Sequence, residues 1–151
     1  MNYGNKLKEL RTENLYTQEY MARKLNIKRS TYKEYELQNS IIPIKHLNEL
    51  CNLFNVSIDY IFNLTNLKNY EKSKQSINMN LSSQRLKEFR KENKLTQKEL
   101  AKILNTDISL PSKYERKIYP IATSYLYTIC KKYNLSADYL LGKVNYPKYV
   151  K

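Results

Sequence analysis

The chain has 151 residues and a formal net charge of +13, with 27 Lys and Arg against 14 Asp and Glu. No apolar run approaches the roughly 20 residues that a membrane-spanning helix needs. The N-terminal residues also lack the apolar core of a secretory signal peptide. Composition therefore argues against a membrane or exported protein and predicts a cytoplasmic one.

The sequence repeats itself at an interval of 79 residues. Residues 5–63 align without a gap with residues 84–142, and 21 of the 59 paired positions are identical. Each repeat has the length of a small independent domain, which is too long for a solenoid unit. Cys51 and Cys130 occupy equivalent positions, so we expect each to fill the core of its own domain, unpaired, in a reducing compartment.

The excess of basic residues predicts an anionic partner such as nucleic acid, although an AT-rich genome would also raise the lysine content. The charge is unevenly divided between the repeats. Residues 1–72 carry 11 Lys and Arg against 8 Asp and Glu, a net +3. Residues 81–151 carry 15 against 6, a net +9. The second repeat is the more basic one.

Apolar residues recur at helical spacing in both repeats, and no alternating strand pattern stands out. Thr17 and Thr96 are suitable N-caps for a second helix, and Thr96 with Glu99 forms a capping box. Asn26 and Asn105 suit a left-handed turn after that helix. The signals predict five helices per repeat, at about 6–13, 18–25, 29–37, 44–54 and 58–63, with equivalents 79 residues later.

Two helices joined by a three- or four-residue turn form a helix-turn-helix. The pattern from Thr17 to Glu36, Thr-Gln-Glu-x-Met-Ala-x-x-Leu-Asn-Ile-x-x-Ser-Thr-x-x-x-Tyr-Glu, resembles the helix-turn-helix of the phage repressor and Cro family. The segment from Pro43 to Tyr60 resembles the fourth and fifth helices of that family, and the second repeat matches independently. The resemblance implies an all-α fold of two tandem lambda-repressor-like five-helix domains.

We accordingly expect a first domain at residues 1–64, a linker at 65–82, a second domain at 83–142 and a basic tail at 143–151. The linker is polar and contains neither proline nor glycine. Fully extended, it would span about 55–60 Å. The tail is either a loose end or a small docking arm.

Proteins of this family place the third helix in the major groove of DNA. The resemblance therefore implies base contacts from the start of helix three and phosphate contacts from the residues around it. Arginine can bind guanine bidentately, and serine can pair with several base edges. The implied DNA-binding residues of the first domain are Gln18, Lys28, Arg29, Ser30, Lys33 and Glu34.

The Arg11–Glu36 and Arg90–Glu115 pairs match a salt bridge that the family uses between helices one and three. Both repeats keep the pair although they differ at the groove-facing positions, so we expect a structural role. Tyr32, Tyr35 and Tyr114 could stack on bases, but their spacing favours core packing. The one histidine, His46, is expected on the surface of helix four.

The third helix of the second repeat departs from the pattern. Asp107 and Ile108 replace Lys28 and Arg29, and Pro111 replaces Tyr32. Proline is tolerated only in the first turn of a helix, so we expect helix three to start late or to be distorted. The DNA-contacting candidates in this domain are Gln97, Ser109, Ser112, Lys113, Arg116 and Lys117.

Two interpretations of the second domain stay open. In one it binds DNA mainly through charge, and in the other it has become an interaction or dimerisation module for this chain or another protein. The sequence offers no metal-ligand cluster, no nucleophile–base pair and no phosphate-binding glycine loop. We therefore expect no enzyme activity, cofactor, metal or small-molecule ligand, and no room for a ligand-sensing domain.

The sequence thus predicts a sequence-specific transcriptional regulator of the repressor type, with double-stranded DNA as its partner. The alternative is an antitoxin or antirepressor that keeps the fold without contacting bases specifically.

Overall fold

A computed structural model describes residues 1–150, and the chain divides into two compact units between Asn69 and Tyr70. All regular structure in the described residues is helical, as predicted, with five helices in each unit. The helices of unit 1 are α1 (Tyr3–Glu13), α2 (Gln18–Leu25), α3 (Arg29–Leu37), α4 (Ile44–Phe54) and α5 (Ile58–Ile61). The helices of unit 2 are α6 (Met79–Glu92), α7 (Gln97–Leu104), α8 (Leu110–Glu115), α9 (Thr123–Tyr133) and α10 (Ala137–Leu140).

The second helix of each unit begins at the predicted threonine cap. The Thr17 hydroxyl accepts a hydrogen bond from the Tyr20 N–H at 3.0 Å. The Thr96 hydroxyl accepts one from the Glu99 N–H, and the Glu99 carboxylate in turn accepts one from the Thr96 N–H, both at 3.0 Å. The predicted capping box is therefore present in α7, whereas α2 has only the threonine half of it.

The same two helices end at asparagines in the left-handed conformation, with φ of 56° at Asn26 and 53° at Asn105. Asparagine adopts this conformation at a lower cost than most residues with a β-carbon. The turn places the third helix across the second in both units, which completes the predicted helix-turn-helix.

Each unit encloses its own core. Cys51 and Cys130 are fully buried, and neither forms a disulfide. The buried tyrosines Tyr32, Tyr35 and Tyr114 confirm that this face of the third helix is a packing face. His46 is only partly exposed, because its Nδ1 lies 3.3 Å from the Tyr35 hydroxyl, so the expectation of a simple surface residue was incomplete.

The structural repeat is longer than the sequence repeat. After the fifth helix the chain of unit 1 returns, and the Ser57 N–H donates to the Lys68 carbonyl at 2.7 Å. In unit 2 the Ser136 N–H donates to the Lys148 carbonyl at 2.8 Å. Lys148 lies 80 residues after Lys68, so the second returning segment is one residue longer, and an ungapped alignment misses it.

The predicted tail belongs to unit 2. Val144 and Val150 are buried, and the Val150 N–H donates to the Asn134 carbonyl at 2.7 Å. Arg85 holds the start of this segment, because its guanidinium donates to the Val144 carbonyl and to the Asn145 side chain, both at 2.8 Å. Residues 143–150 are therefore neither a loose end nor a free arm. Lys151 lies outside the described residues.

The connection between the units is shorter than the predicted linker of residues 65–82. Helix α6 already begins at Met79. Before it, the Lys74 N–H donates to the Lys143 carbonyl at 2.8 Å, and the Asn78 N–H donates to the Leu141 carbonyl at 2.9 Å. Most of the segment that reads as a polar linker therefore packs on one unit or the other.

Gly142 is required where this segment crosses the end of α10. It has φ of 75°, and a β-carbon there would lie 2.8 Å from the Asn78 β-carbon. The equivalent residue of unit 1, Asn63, is also left-handed with φ of 58° but carries a side chain. Close approach of the preceding segment, in addition to the backbone angle, selects glycine in unit 2.

Candidate nucleic-acid interface

Helix α3 has one face in the core and one face in solvent. Its buried face consists of Tyr32, Tyr35 and Glu36. The exposed residues at its start and one turn later form what we call the α3 face, which consists of Lys28, Arg29, Ser30 and Lys33. Because the opposite side is anchored in the core, α3 presents these side chains from a fixed backbone.

The α3 face carries three cations and a hydroxyl. Lys28 is the N-cap of α3, and Arg29 is its first residue. Arg29 and Lys33 are four residues apart and therefore lie on the same side of the helix. Glu34 is half-buried, which places it less favourably for contact with a partner than its neighbours. The face combines a guanidinium with hydrogen-bonding side chains at a helix N-terminus, the chemistry that base and phosphate contacts require.

The Arg11–Glu36 pair fixes α3 against α1. The Arg11 Nε–H and Nη2–H groups donate to the two carboxylate oxygens of Glu36 at 2.7 and 3.1 Å. The guanidinium also donates to the Tyr16 carbonyl at 3.1 Å. Burial alone would raise the pKa of Glu36, but its hydrogen bonds with Arg11 and Gln18 hold that pKa below the ordinary value. The expected structural salt bridge is present.

Gln18 is directed toward this pair. It is the first residue of α2, and its Nε2 donates to the Glu36 carboxylate at 3.2 Å. The resemblance implied a phosphate contact from this side chain. The Gln18 Nε2 carries a second N–H that this bond does not use, and the backbone N–H groups at the start of α2 can also donate to a phosphate.

Unit 2 keeps the salt bridge. The Arg90 Nε–H and Nη2–H groups donate to Glu115 at 2.8 and 3.0 Å, and the hydrogen bond to the carboxylate raises the pKa of Arg90. Gln97 is half-buried at the start of α7. Within the described residues it makes no bond to Glu115 like that between Gln18 and Glu36.

The third helix of unit 2 is shortened, as Pro111 predicted. Helix α8 has six residues against nine in α3, and it begins two positions later in the repeat. Pro111 is the second residue of α8 and is buried where unit 1 has Tyr32. Proline lacks an N–H and is compatible with the first turn only, so α8 cannot begin as early in the repeat as α3 does.

The turn before α8 is organised around Asp107. Its Oδ1 accepts hydrogen bonds from the Ser109 N–H at 2.8 Å and from the Ser109 hydroxyl at 2.6 Å. These bonds lower the pKa of Asp107, so the exposed carboxylate carries a negative charge. Ile108, between them, exposes 55% of its surface. At the positions of Lys28 and Arg29, unit 2 therefore presents a carboxylate and an apolar side chain.

The remaining candidates of unit 2 lie on α8 and just after it. Ser112 and Lys113 are half-buried, while Arg116 and Lys117 are exposed. The Arg116 Nε–H donates to the Ser112 hydroxyl at 3.1 Å, which draws one hydroxyl away from solvent. The cations of unit 2 are thus displaced toward the end of the third helix.

Two exposed apolar residues beside these cations were not predicted from the sequence. Ile118 and Tyr119 expose 49% and 51% of their surfaces in the loop between α8 and α9. The equivalent residues of unit 1, Asn39 and Ser40, are polar. Neither residue belongs to a helical pattern. Only a comparison of the two repeats at these positions, apolar in one and polar in the other, would have drawn attention to them.

Among the described residues, no cluster of three or more His, Cys, Asp or Glu side chains could hold a metal ion. No helix in residues 1–150 combines the length and the apolar composition that crossing a bilayer requires.

The family of helix-turn-helix domains matches the chain twice, at residues 4–67 and at residues 83–145. The chain belongs to this family. The two matches coincide with the two sets of five helices and confirm the tandem helix-turn-helix organisation that the motifs indicated.

Three curated relatives from Bacillus subtilis (strain 168) match part of the chain. An uncharacterised HTH-type transcriptional regulator, YobD, is 38% identical over 63 residues, which is 42% of this chain and 56% of the relative. The SPbeta prophage-derived uncharacterised HTH-type transcriptional regulator YonR is 37% identical over 59 residues, 39% of this chain and 55% of the relative. The HTH-type transcriptional regulator ImmR is 41% identical over 61 residues, 40% of this chain and 48% of the relative.

The chain thus spans about half the length of the curated relatives that it matches. No solved structure matches it significantly.

Proposed function

We propose that this helix-turn-helix protein is a sequence-specific regulator of transcription, of the repressor type, that binds double-stranded DNA. In this proposal the α3 face contacts base edges in the major groove, and unit 2 binds mainly the phosphate backbone. The observation that carries it is the α3 face itself, with Arg29 exposed at the first position of a helix whose other side is locked into the core.

Family membership supports DNA as the partner, and the names of the three relatives support a role in transcription. The net charge of +13 also supports DNA as the partner. Arg29 would bind guanine, Ser30 and Lys33 would contact bases or phosphates, and Lys28 would contact a phosphate. Glu34 would accept only from a cytosine amino group.

In unit 2 the phosphate-binding residues of the proposal are Lys113, Arg116 and Lys117, with Gln97 at the N-terminus of α7. The ionised Asp107 would repel phosphate, so the start of α8 is a poor place for backbone contact. Ile108 could contact the methyl group of a thymine but offers no hydrogen bond. Unit 2 would therefore contribute affinity more than base discrimination.

Selection of bound duplexes from random DNA tests the proposal. We expect an enriched sequence that binds at least roughly a thousandfold more tightly than random duplex. Arg29→Ala should weaken binding to that sequence by about 1–3 kcal/mol and relax the preference at one base pair. The matched control is Lys45→Ala, an exposed cation on α4, which should leave the preference unchanged.

Lys113→Ala should act differently from Arg29→Ala. We expect it to weaken binding to all sequences alike and to reduce the slope of log K against log salt by about 0.9. Salt-sensitive binding without any enriched sequence would contradict the proposal and indicate a nonspecific role.

A second candidate function is a protein-interaction module of the antitoxin or antirepressor type. The exposed Ile108, Ile118 and Tyr119 around α8 favour it, because they replace polar or charged residues of unit 1. If this function holds, Arg29→Ala and Lys45→Ala should have the same small effect on DNA binding.

A further inference from the structure

We infer that the two units bind neighbouring positions on one DNA duplex, within about one helical turn of each other, because the chain between them is short. This inference rests on the proposed function. It also limits the distance between the two binding positions on the DNA. The family match says nothing about this distance, because it describes each repeat separately.

The connection is bounded by two hydrogen bonds. At the end of unit 1, the Asn69 Nδ2 donates to the Asn55 side chain at 2.9 Å. At the start of unit 2, the Lys74 N–H donates to the Lys143 carbonyl at 2.8 Å. Only residues 70–73 lie between these attachment points. From Asn69 to Lys74 the chain can reach at most about 17 Å, and any contact made by the connecting residues shortens this reach.

The reach of the connection and the size of the two units together limit the spacing of their binding positions on DNA. A compact unit of roughly 75 residues has a radius of gyration of about 11 Å and, as a sphere, a diameter of about 29 Å. The centres of the two units can then be at most about 46 Å apart, whatever their arrangement. Positions one turn apart on DNA are separated by about 34 Å, and positions two turns apart by about 68 Å. For units that are each centred on the DNA position they contact, the first spacing is within reach and the second is not.

The predicted linker would have set no such limit. A connection of residues 65–82 could span about 55–60 Å by itself, which allows units two turns apart. The difference arises from the returning segment of unit 1 and from residues 74–78, which are held by their own units.

The basic charge of unit 2 explains why the short connection matters for affinity. Arg116 and Lys117 are exposed, and residues 81–151 carry a net +9. Nonspecific binding to DNA typically has a Kd of 10⁻⁴ to 10⁻⁶ M at physiological salt. A short tether holds a second module at an effective concentration in the millimolar range. Weak backbone binding by unit 2 would therefore raise the affinity of the whole chain by roughly 10- to 1000-fold.

The test uses duplexes that contain the enriched sequence bound by unit 1. In one duplex all flanking phosphates are normal, and in the other the first turn on either side carries uncharged methylphosphonates. A variant with ten Gly and Ser residues inserted between Lys72 and Ser73 can reach the charged DNA beyond the neutral turn. The matched control carries the same ten residues after Val150, where they leave the connection unchanged.

We expect neutral flanks to weaken binding of the wild-type chain and of the control at least tenfold. The insertion variant should lose less than about threefold. Equal affinity of the wild-type chain for both duplexes would overturn the inference, and so would an equal loss in the insertion variant. Failure to enrich any sequence would instead contradict the proposed function, so the two failures are distinguishable.

Discussion

Helices α3 and α8 occupy the same place in the two units but differ in length, with nine residues in α3 and six in α8. Near the end of both helices, a glutamate is held by an arginine of the first helix, at 2.7 and 2.8 Å. Their beginnings differ, because α3 starts at Arg29 and α8 starts two positions later, with Pro111 as its second residue. One end of the third helix is preserved, and the other is free to change.

The two ends of the third helix therefore have different roles: one is needed for the fold, and the other is exposed to a partner. The preserved end lies in the core, where an unpaired charge would be costly. The changed end lies in solvent, where most substitutions alter stability little. Cations at positions 28 and 29 have become Asp107 and Ile108, and Glu34 has become Lys113. Positions 28 and 34 thus carry charges of opposite sign in the second unit, whereas the Arg–Glu pair that anchors the helix is kept.

The largest expected effect tests the preserved end. Glu36→Ala and Glu115→Ala should each lower the free energy of unfolding of their own unit by about 3–5 kcal/mol, because an arginine side chain that is only 12–13% exposed loses its partner. The loss should be larger for Glu36, which also accepts from Gln18. Hydrogen exchange followed by mass spectrometry on peptides from each unit measures the two separately. If the amides of unit 1 in Glu36→Ala were as well protected from exchange as in the wild-type chain, the Arg11–Glu36 pair would be dispensable for stability.

A second, smaller effect tests why the first helices differ. A β-carbon at Gly4 would collide with the Glu36 carbonyl, whereas the equivalent Ser83 is buried with its side chain in place. Gly4→Ala should therefore destabilise unit 1 by about 1–3 kcal/mol through overpacking. Ser83→Ala, the matched change, should cost less than about 1 kcal/mol. Chemical denaturation of both variants checks this order, and the reverse order would contradict it.

The third comparison concerns the N-caps of α2 and α7. Thr17→Ala and Thr96→Ala should each cost about 1 kcal/mol. The two losses should be equal, because the Thr96 N–H that donates to the Glu99 carboxylate is a backbone group and is kept in Thr96→Ala. Amide exchange in the first turn of each helix is the measurement. A clearly larger loss for Thr96→Ala would show that the two hydrogen bonds of the capping box depend on each other.

The smallest expected effect is a pH dependence of unit 1. The folded pKa of Glu36 lies below its ordinary value of 4.5, so ionised Glu36 contributes stability above about pH 4.5. That contribution is lost as the pH falls through the folded pKa. Unfolding of wild-type chain and of Glu36→Gln between pH 6 and 3 should show a decline toward acid that is steeper in the wild-type chain. Parallel declines would assign the acid sensitivity to other carboxylates.

Much of the fold could be predicted from the sequence because its signals are local. Helix bounds followed from caps and from apolar spacing, and α2, α3 and α4 begin and end at the predicted residues. The late start of α8 followed from one proline. The Arg–Glu pairs were predicted from the family resemblance, and their structural role was predicted because both repeats keep them while changing the groove-facing residues.

The details of the candidate interface were less accessible because they depend on distant residues. Nothing local to Gln18 shows that its side chain bonds to Glu36, 18 positions later. The exposed Ile118 and Tyr119 belong to no periodic pattern, so their exposure depends on how the loop after α8 packs.

The sequence by itself determined the doubling, the helix-turn-helix in each copy and the divergence of the two third helices. These features lie in residue types, caps and spacings, which act over a few positions of the chain. Only the tertiary structure decided how far each unit extends. Polar residues after α5 and before α6 gain hydrogen bonds to their own unit across long stretches of chain, which leaves only residues 70–73 between the attachment points.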